Sequence, residues 1–487
     1  MGKVENEFWE RVARIPTHGT GLSVDAYSPD LLELLRALES ARVLPDYLEI
    51  FKATTPELSR IRAALPGMAL AYHAEGLWLI DPAMRSATPW VQAVETIARH
   101  TEAIGAEWAN HECAGKQFGG YSFGTYLPPL LTDASARAVA ANAALAQDSL
   151  DEWFARKGKP GLGPLLLLEL PPLTYFGFGD LPVSEFFARI VERAPCGLVL
   201  DIGHLWTHWR YREHNRFPSL DVFTANFLNV FPLERVVQIH LAGLGWGDHE
   251  TVMDQEVSPW WVDAHASRVP PVLWALLRQV LARPGLTSLK GIALEVDTKT
   301  VPLIVEEFGR LREEPACLKT LPPSGGEGIP GESPSRHSRT GPNQETDGLA
   351  DQYRTYARVV SGEQPLHDST LALVAECLDR EGLSRYRTRY LPHELLRWGG
   401  DLEELFPAIW SALNERGISA RDFVRFWFRQ PYVVADPYDF FHIKLERWEV
   451  FVSEVAPDLS AEAAREAGAL RTLHAELNDE PTRTTFR

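Results

Sequence analysis

The chain has 487 residues, 45% of them hydrophobic and 23% charged, the balance of a folded globular protein with room for a large core. A formal net charge of -18 gives no general attraction to DNA, RNA or an anionic membrane, so nucleic acid is disfavoured as a partner and no membrane is expected. Four scattered cysteines (Cys113, Cys196, Cys317, Cys377) without a CxxC pair, and an amino terminus without the apolar core of a signal peptide, point to a reduced, cytoplasmic protein.

Strand-like and helical runs alternate from the start. GTGLSV precedes a helical SPDLLELLRALESA, with Ser28 as its expected cap, and YLEIF precedes ELSRIRAAL. MALAYHA, ending near His73, leads into the helix TPWVQAVETIARHTEAI, and a weaker strand, GAEWANHE, precedes a long helix from Asp133 to Arg156. Then come GPLLLLEL and SEFFARIVERA, GLVLDIGH and LDVFTANFLNVF, VVQIHLAG and PPVLWALLRQVLA, and finally GIALEVD and VPLIVEEFGRLRE. These are eight strands, each followed by a helical segment. Their apolar runs are continuous rather than alternating, as in a parallel sheet covered on both faces. The predicted fold is α/β, a TIM (β/α)8 barrel over residues 1–315, whose active site belongs at the carboxyl ends of the strands.

Thr320 to Gly348 is dominated by Pro, Gly, Ser and polar residues and cannot bury enough surface to offset its ordering, so residues 316–348 read as a flexible linker. Residues 349–487 return to helical spacing with many aromatics, and are predicted to form an all-helical domain with a frayed tail, NDEPTRTTFR.

Metal-ligating residue types gather where the barrel strands end. Asp201 and His204 close GLVLDIGH, His240 closes VVQIHLAG, Asp263 and His265 lie in WVDAHAS, and Glu295 closes IALEVD. His73, His111 and Glu169 sit in LAYHAEG, WANHEC and LLLLEL. Singly, each has an ordinary explanation as a hydrogen-bonded core histidine or the first solvated residue of a loop. Jointly they need another, because a carboxylate ending an apolar strand in a barrel mouth is costly to bury without a cation. Imidazole and carboxylate together suit Fe, Mn or Zn, and the absence of cysteine ligands disfavours a structural zinc site. Cys113, beside His111, reads as a structural thiol.

LDIGH, IHLAG, the VDAH-to-VLWAL segment, SEFFARI…CGLVLD and LEVD resemble the multinuclear non-haem iron-dependent oxidases over roughly residues 15–313. The resemblance implies a barrel holding two or three irons in mixed Fe(II)/Fe(III) states, with Zn or Mn as alternative metals. It also implies O2 as co-substrate and a residue of a ribosomally made precursor peptide, cysteine foremost, as the target. By position, His73 and His111 would hold one metal and Glu169 would bridge it to a second, completed by Asp201, His240 and Glu295. His204, Asp263 and His265 would hold the third and carry the catalysis. Glu49 and Glu185 match acidic positions that orient ligands.

The chain also departs from that pattern. VDAY stands where the oxidases have a histidine after the first strand, leaving Asp25 or Ala26 there. Leu170 follows Glu169 in place of Asn, and His204 stands as it does in endonuclease IV. A three-metal phosphodiesterase similar to endonuclease IV is therefore an alternative, and a sugar isomerase or epimerase is another. A binding-only protein with a decayed site is disfavoured by the intact ligand types. Small oxidases of the family need a partner that presents the peptide. The helical domain is expected to replace it, with FVRFWFRQPYVV and YDFFHIKLERW as candidate walls of a peptide groove.

Overall fold

The computed structural model describes residues 3–26, 30–51, 53–84, 88–159, 163–171, 176–247, 260–314, 345–364, 380–397, 400–429 and 440–479. The barrel strands are β1 (Gly19–Asp25), β2 (Tyr47–Phe51), β3 (Ala69–His73), β4 (Trp108–Glu112), β7 (Leu165–Glu169), β8 (Gly197–Asp201), β9 (Val236–Leu241) and β12 (Gly291–Glu295). They close in the order β1-β12-β9-β8-β7-β4-β3-β2, every neighbouring pair parallel. This is the TIM barrel expected from the continuous apolar runs. LLLLE of β7 is buried at every position, because one face meets the barrel interior and the other the helix layer.

Helices fill the layer outside. α1 (Lys3–Val12) precedes the first strand, followed by α2 (Leu31–Ser40), α3 (Thr55–Ala64), α4 (Thr88–Ile104), α5 (Asp133–Arg156), α6 (Val183–Val191), α7 (Ile202–His208), α8 (Leu220–Val230), α9 (Pro271–Leu281) and α10 (Val301–Glu313). The side chain capping α2 is Asp30, which accepts from Glu33 N; the expected cap Ser28 lies outside the described residues. The unforeseen α1 plugs the lower end of the barrel. Its Phe8 and Val12, with Ile15 just beyond, pack on Tyr47, Ala71, Trp108, Leu165, Leu167, Val199, Val237 and Ala293.

Above that plug lies a buried polar tier. Trp108 Nε1 donates to Gln238 Oε1 at 2.9 Å, and Gln238 Nε2 donates to the Tyr47 hydroxyl at 3.1 Å. Room for the Tyr47 ring comes from two glycines: a Cβ at Gly21 would fall 2.5 Å from the ring, and one at Gly291 would fall 2.7 Å from its hydroxyl. Glu49 and His240 lie two residues further along the same strands, roughly 7 Å up the barrel.

Two hairpins decorate the upper rim, β5 (Gly115–Phe118) with β6 (Tyr121–Leu127), and β10 (Leu244–Gly247) with β11 (Trp260–Asp263). The carboxyl-terminal region is helical, as expected, and packs on the first hairpin. Its helix Glu345–Ser361 starts inside the predicted linker, most of which (316–344) lies outside the described residues. Tyr356 donates to Pro128 O at 3.0 Å, Trp427 Nε1 donates to Ser122 O at 3.0 Å, and Tyr353 accepts from Leu130 N at 3.1 Å. Phe118 stacks on Tyr356, and Phe123 meets Phe428. Gly124, at φ +67°, leaves no space for a Cβ beneath Phe440. The aromatics foreseen as groove walls, Phe423, Phe426, Trp427, Phe428, Phe440 and Trp448, are buried in this core. Phe441 of the same stretch is half-buried and stacks on His474, and residues 430–434 and 438–439 lie outside the described residues.

Candidate metal centre

Polar side chains near the carboxyl ends of β2, β3, β4, β7, β8, β9 and β12 gather in one buried cluster. Glu169, from β7, stands among three imidazoles: His73 Nε2 is 3.5 Å from its Oε2, and His204 Nδ1 and His240 Nδ1 are 3.6 and 3.3 Å from its Oε1. Asn110 Nδ2 approaches the same carboxylate at 3.5 Å. His240 Nδ1 also lies 3.3 Å from Glu295 Oε1, and its Nε2 lies 3.1 Å from Glu49 Oε1. Asp201 plays two parts. Its carboxylate caps α7 by accepting from His204 N at 2.5 Å, and it belongs to both sets of potential ligands. Glu169, Asp201 and His204 offer ligand atoms within 4.8 Å of one another, and so do Asp201, His240 and Glu295.

The other predicted ligands divide. His265 is half-buried at the rim, its Nε2 3.4 Å from Glu295 Oε2 and its Nδ1 held by Asp297, a partner the sequence reading missed. Asp263 ends β11, and its side chain lies outside the described residues. His111 stands apart. Its Nε2 accepts from Leu77 N at 3.0 Å, its Nδ1 donates to Glu112 O at 2.8 Å, and its ring meets Trp78 edge-on. With both nitrogens bonded to backbone, this ring is a core histidine whose pKa burial lowers. Beside His73, where His111 was expected, stands Glu112, with Oε1 3.6 Å from His73 Nε2. Glu49 sits where an orienting group should, whereas Glu185 is paired with Arg189 on the exposed side of α6. Cys113 is a buried free thiol whose pKa burial pushes far up, so it is inert.

Carboxylates outnumber imidazoles here, and the electrostatics follow. Burial works against an imidazolium at His73, yet Glu112, Glu169 and Glu49 lift its pKa to about 10. Burial likewise opposes charge on His240, and Glu169, Glu49 and Glu295 overcome it. Burial raises the Glu295 carboxyl to about 8, with Glu169 and Asp201 adding to the push. Burial would raise Glu169 as well, but His240 and His73 hold it well below the usual carboxylate range. The ensemble therefore draws in positive charge, as protons or as metal ions.

The donors fit a metal. Nδ1 of His240 and the Oε2 atoms of Glu112 and Glu295 are buried without a well-aligned hydrogen bond. Such groups cost about 1–3 kcal/mol each when left so, more if charged. Hard oxygen and imidazole donors around a shared carboxylate satisfy them with divalent ions of the Fe, Mn or Zn kind.

Comparison with known proteins gives the family. Residues 19–314 match the RiPP precursor modification enzymes MbnB/TglH/ChrH. A UPF0276 protein of Anaeromyxobacter sp. strain Fw109-5 is 30% identical over 164 residues, 33% of this chain and 50% of that protein. One of Paraburkholderia phytofirmans is 27% identical over 236 residues, 47% of this chain and 65% of that protein. The chain thus spans about half to two thirds of the length of these curated relatives. Among solved structures, endonuclease IV of Thermus thermophilus aligns with a TM-score of 0.36 at 19% identity, over 62% of this chain and 99% of that one. With well over half its length inside the matched region, the chain belongs to the RiPP precursor modification enzyme family MbnB/TglH/ChrH.

Proposed function

We propose that the chain is a multinuclear non-haem iron enzyme that uses O2 to oxidise a residue, cysteine foremost, of a ribosomally made precursor peptide. The observation that supports this reading is the buried Glu169 carboxylate with His73, His204 and His240 gathered around it, in a chain whose family modifies such peptides. His73, Glu169, Asp201, His204, His240 and Glu295 would hold the ions, with Asp263 and His265 at the rim. Iron bound there would supply redox reactivity toward O2 and a coordination position for a substrate thiolate. The protein's own part is placement. Glu49 fixes the tautomer of His240, Asp297 holds Nδ1 of His265, and His204 donates from Nδ1 to Leu170 O at 2.9 Å, which sets its tautomer. The tier of Trp108, Gln238 and Tyr47, with α1 beneath it, keeps water from entering below.

The helical region stands in for a peptide-presenting partner in this reading, because it packs on the β5–β6 hairpin at the rim from which substrate would approach. The test is anaerobic reconstitution of the full chain with Fe(II), Mössbauer spectroscopy of the product, and O2 uptake in the presence of cysteine-containing and matched serine-containing peptides. A coupled-iron spectrum with cysteine-dependent uptake is expected. Iron-free protein, or uptake indifferent to peptide, would refute the reading.

One observation favours a second reading. His204 lies in the same cluster as Glu169 and Asp201, the arrangement expected of a three-metal phosphodiesterase. The net charge of -18 stands against a DNA substrate. Cleavage of abasic-site DNA by the zinc-loaded chain would establish it.

A further inference from the structure

The side-chain alternation of β4 decides which of its residues reach the metal centre. Trp108 belongs to the interior tier with Leu165 and Leu167, and Asn110 approaches Glu169, so the odd-numbered neighbours face the other way. Ala109 and Cys113 accordingly pack in the core shared with the outer helices, and His111 lies between them in sequence with both nitrogens bonded to backbone. Glu112 has the parity of Trp108 and Asn110 and pairs in register with Glu169.

We infer that Glu112, and not His111, completes the metal position shared by His73 and Glu169. The inference rests on the metal reading above and names a ligand for it. Glu112 Oε1 is 3.6 Å from His73 Nε2, and its other oxygen is buried without a hydrogen bond, in a residue only 7% exposed. The Lys116 ammonium is committed to Glu75, and the Tyr126 hydroxyl, bonded to Glu75, also lies within reach of Glu112, whose Oε2 is left over. Lys116 Nζ pairs with Glu75 Oε1 at 3.1 Å and sits over the Tyr126 ring, while the Tyr126 hydroxyl donates to Glu75 Oε2 at 2.9 Å. Glu75 is thereby neutralised, and Glu112 keeps its second oxygen for an ion. The position then holds two carboxylates and one imidazole, a harder set than two imidazoles and a carboxylate, which suits Fe(II) or Mn(II) better than softer ions.

The test compares ion binding by wild type, Glu112→Gln and His111→Asn in the full chain. Each is titrated anaerobically with Fe(II) and, separately, Mn(II), and bound metal is counted by plasma mass spectrometry per folded chain, the folded fraction taken from circular dichroism. Glu112→Gln is close to isosteric and removes only the charge. It is expected to bind about one ion fewer, or to hold that ion at least tenfold more weakly, on the order of the loss seen when a metal site's support is removed. His111→Asn is expected to keep the wild-type ion count. Retention of every ion at wild-type affinity by Glu112→Gln overturns the assignment, and so does loss of an ion in folded His111→Asn. A wild-type chain that binds no ion overturns this inference together with the metal reading; an ion-binding wild type with an indifferent Glu112 overturns this inference alone.

Discussion

Glu49 Oε1 lies 3.1 Å from His240 Nε2, with both side chains shut off from solvent at the centre of the barrel. With a metal bound, the carboxylate would hold the proton on Nε2 and leave Nδ1, 3.3 Å from both Glu169 and Glu295, to present a lone pair. Replacing Glu49 by the apolar, similar-sized Leu removes that control and a buried charge together. The fold should persist, while iron affinity falls about 10–100-fold, the usual cost of losing an orienting group behind a ligating histidine. Anaerobic Fe(II) titration of E49L reads this directly, and a wild-type isotherm would show that Glu49 does not orient the ring.

The tier below the centre makes a separate stability prediction. Gln238 bridges Trp108 and Tyr47, each of the three fully buried. Gln238→Leu keeps the volume but strands the indole N–H and the phenol. The expected loss is about 1–3 kcal/mol, the desolvation cost of unsatisfied buried polar groups. Urea unfolding of the variant measures it. A midpoint equal to wild type would mean that the tier contributes packing but no polar stabilisation.

What the sequence disclosed, and what it concealed, follows from the range of the forces involved. The eight barrel strands were legible because a strand buried on both faces runs apolar up to its polar tip, as LLLLE and GLVLD do. The helix α1 was not, because its register makes sense only against Tyr47 and Trp108, which are distant in sequence. The β5–β6 hairpin did carry a local signal: Gly119 and Gly120 both adopt positive φ, as a tight turn with twisted flanks demands. In the candidate metal centre, Glu169, Asp201, His204, His240 and Glu295 stand out in the sequence as polar residues closing apolar runs. Glu112 was masked by its neighbour, since histidine draws attention first. Strand parity counted from Trp108 would have separated them. Asp297 lay beyond any local pattern, because only the fold brings it to His265.

Trp427 ties the helical region to the barrel. It is 1% exposed, packs against Phe423 and Phe440, and donates to Ser122 O on the hairpin. Trp427→Ala opens a cavity on this shared face and should cost about 3–5 kcal/mol. Because Phe123 of the hairpin packs on Phe428, next to Trp427, the variant should also make the hairpin a target for limited proteolysis. Two unfolding transitions, with the barrel's unmoved by the substitution, would show that the two regions are stable independently.

His100 sets an acid limit on stability. Its Nδ1 lies 2.7 Å from the Tyr72 hydroxyl and accepts from it, and burial, assisted by Arg99, lowers its pKa to about 4. In the unfolded chain the ring titrates near the ordinary 6.5. Between those values the unfolded state binds a proton that the folded state refuses, so stability rises with pH across the window and falls as pH drops through it. The slope is up to about 1.4 kcal/mol per pH unit, and above pH 6.5 the ring is neutral in both states and adds nothing. His18 has the same sign, with burial holding it at about 4, but Glu107, 3.2 Å away, is pushed up by burial to about 7 and has the opposite sign, so that pair largely cancels. His100→Gln keeps an acceptor for Tyr72 and removes the titration. Urea midpoints taken from pH 4.5 to 7 should therefore fall less steeply toward acid in H100Q than in wild type, and parallel curves would mean that His100 is already protonated in the fold.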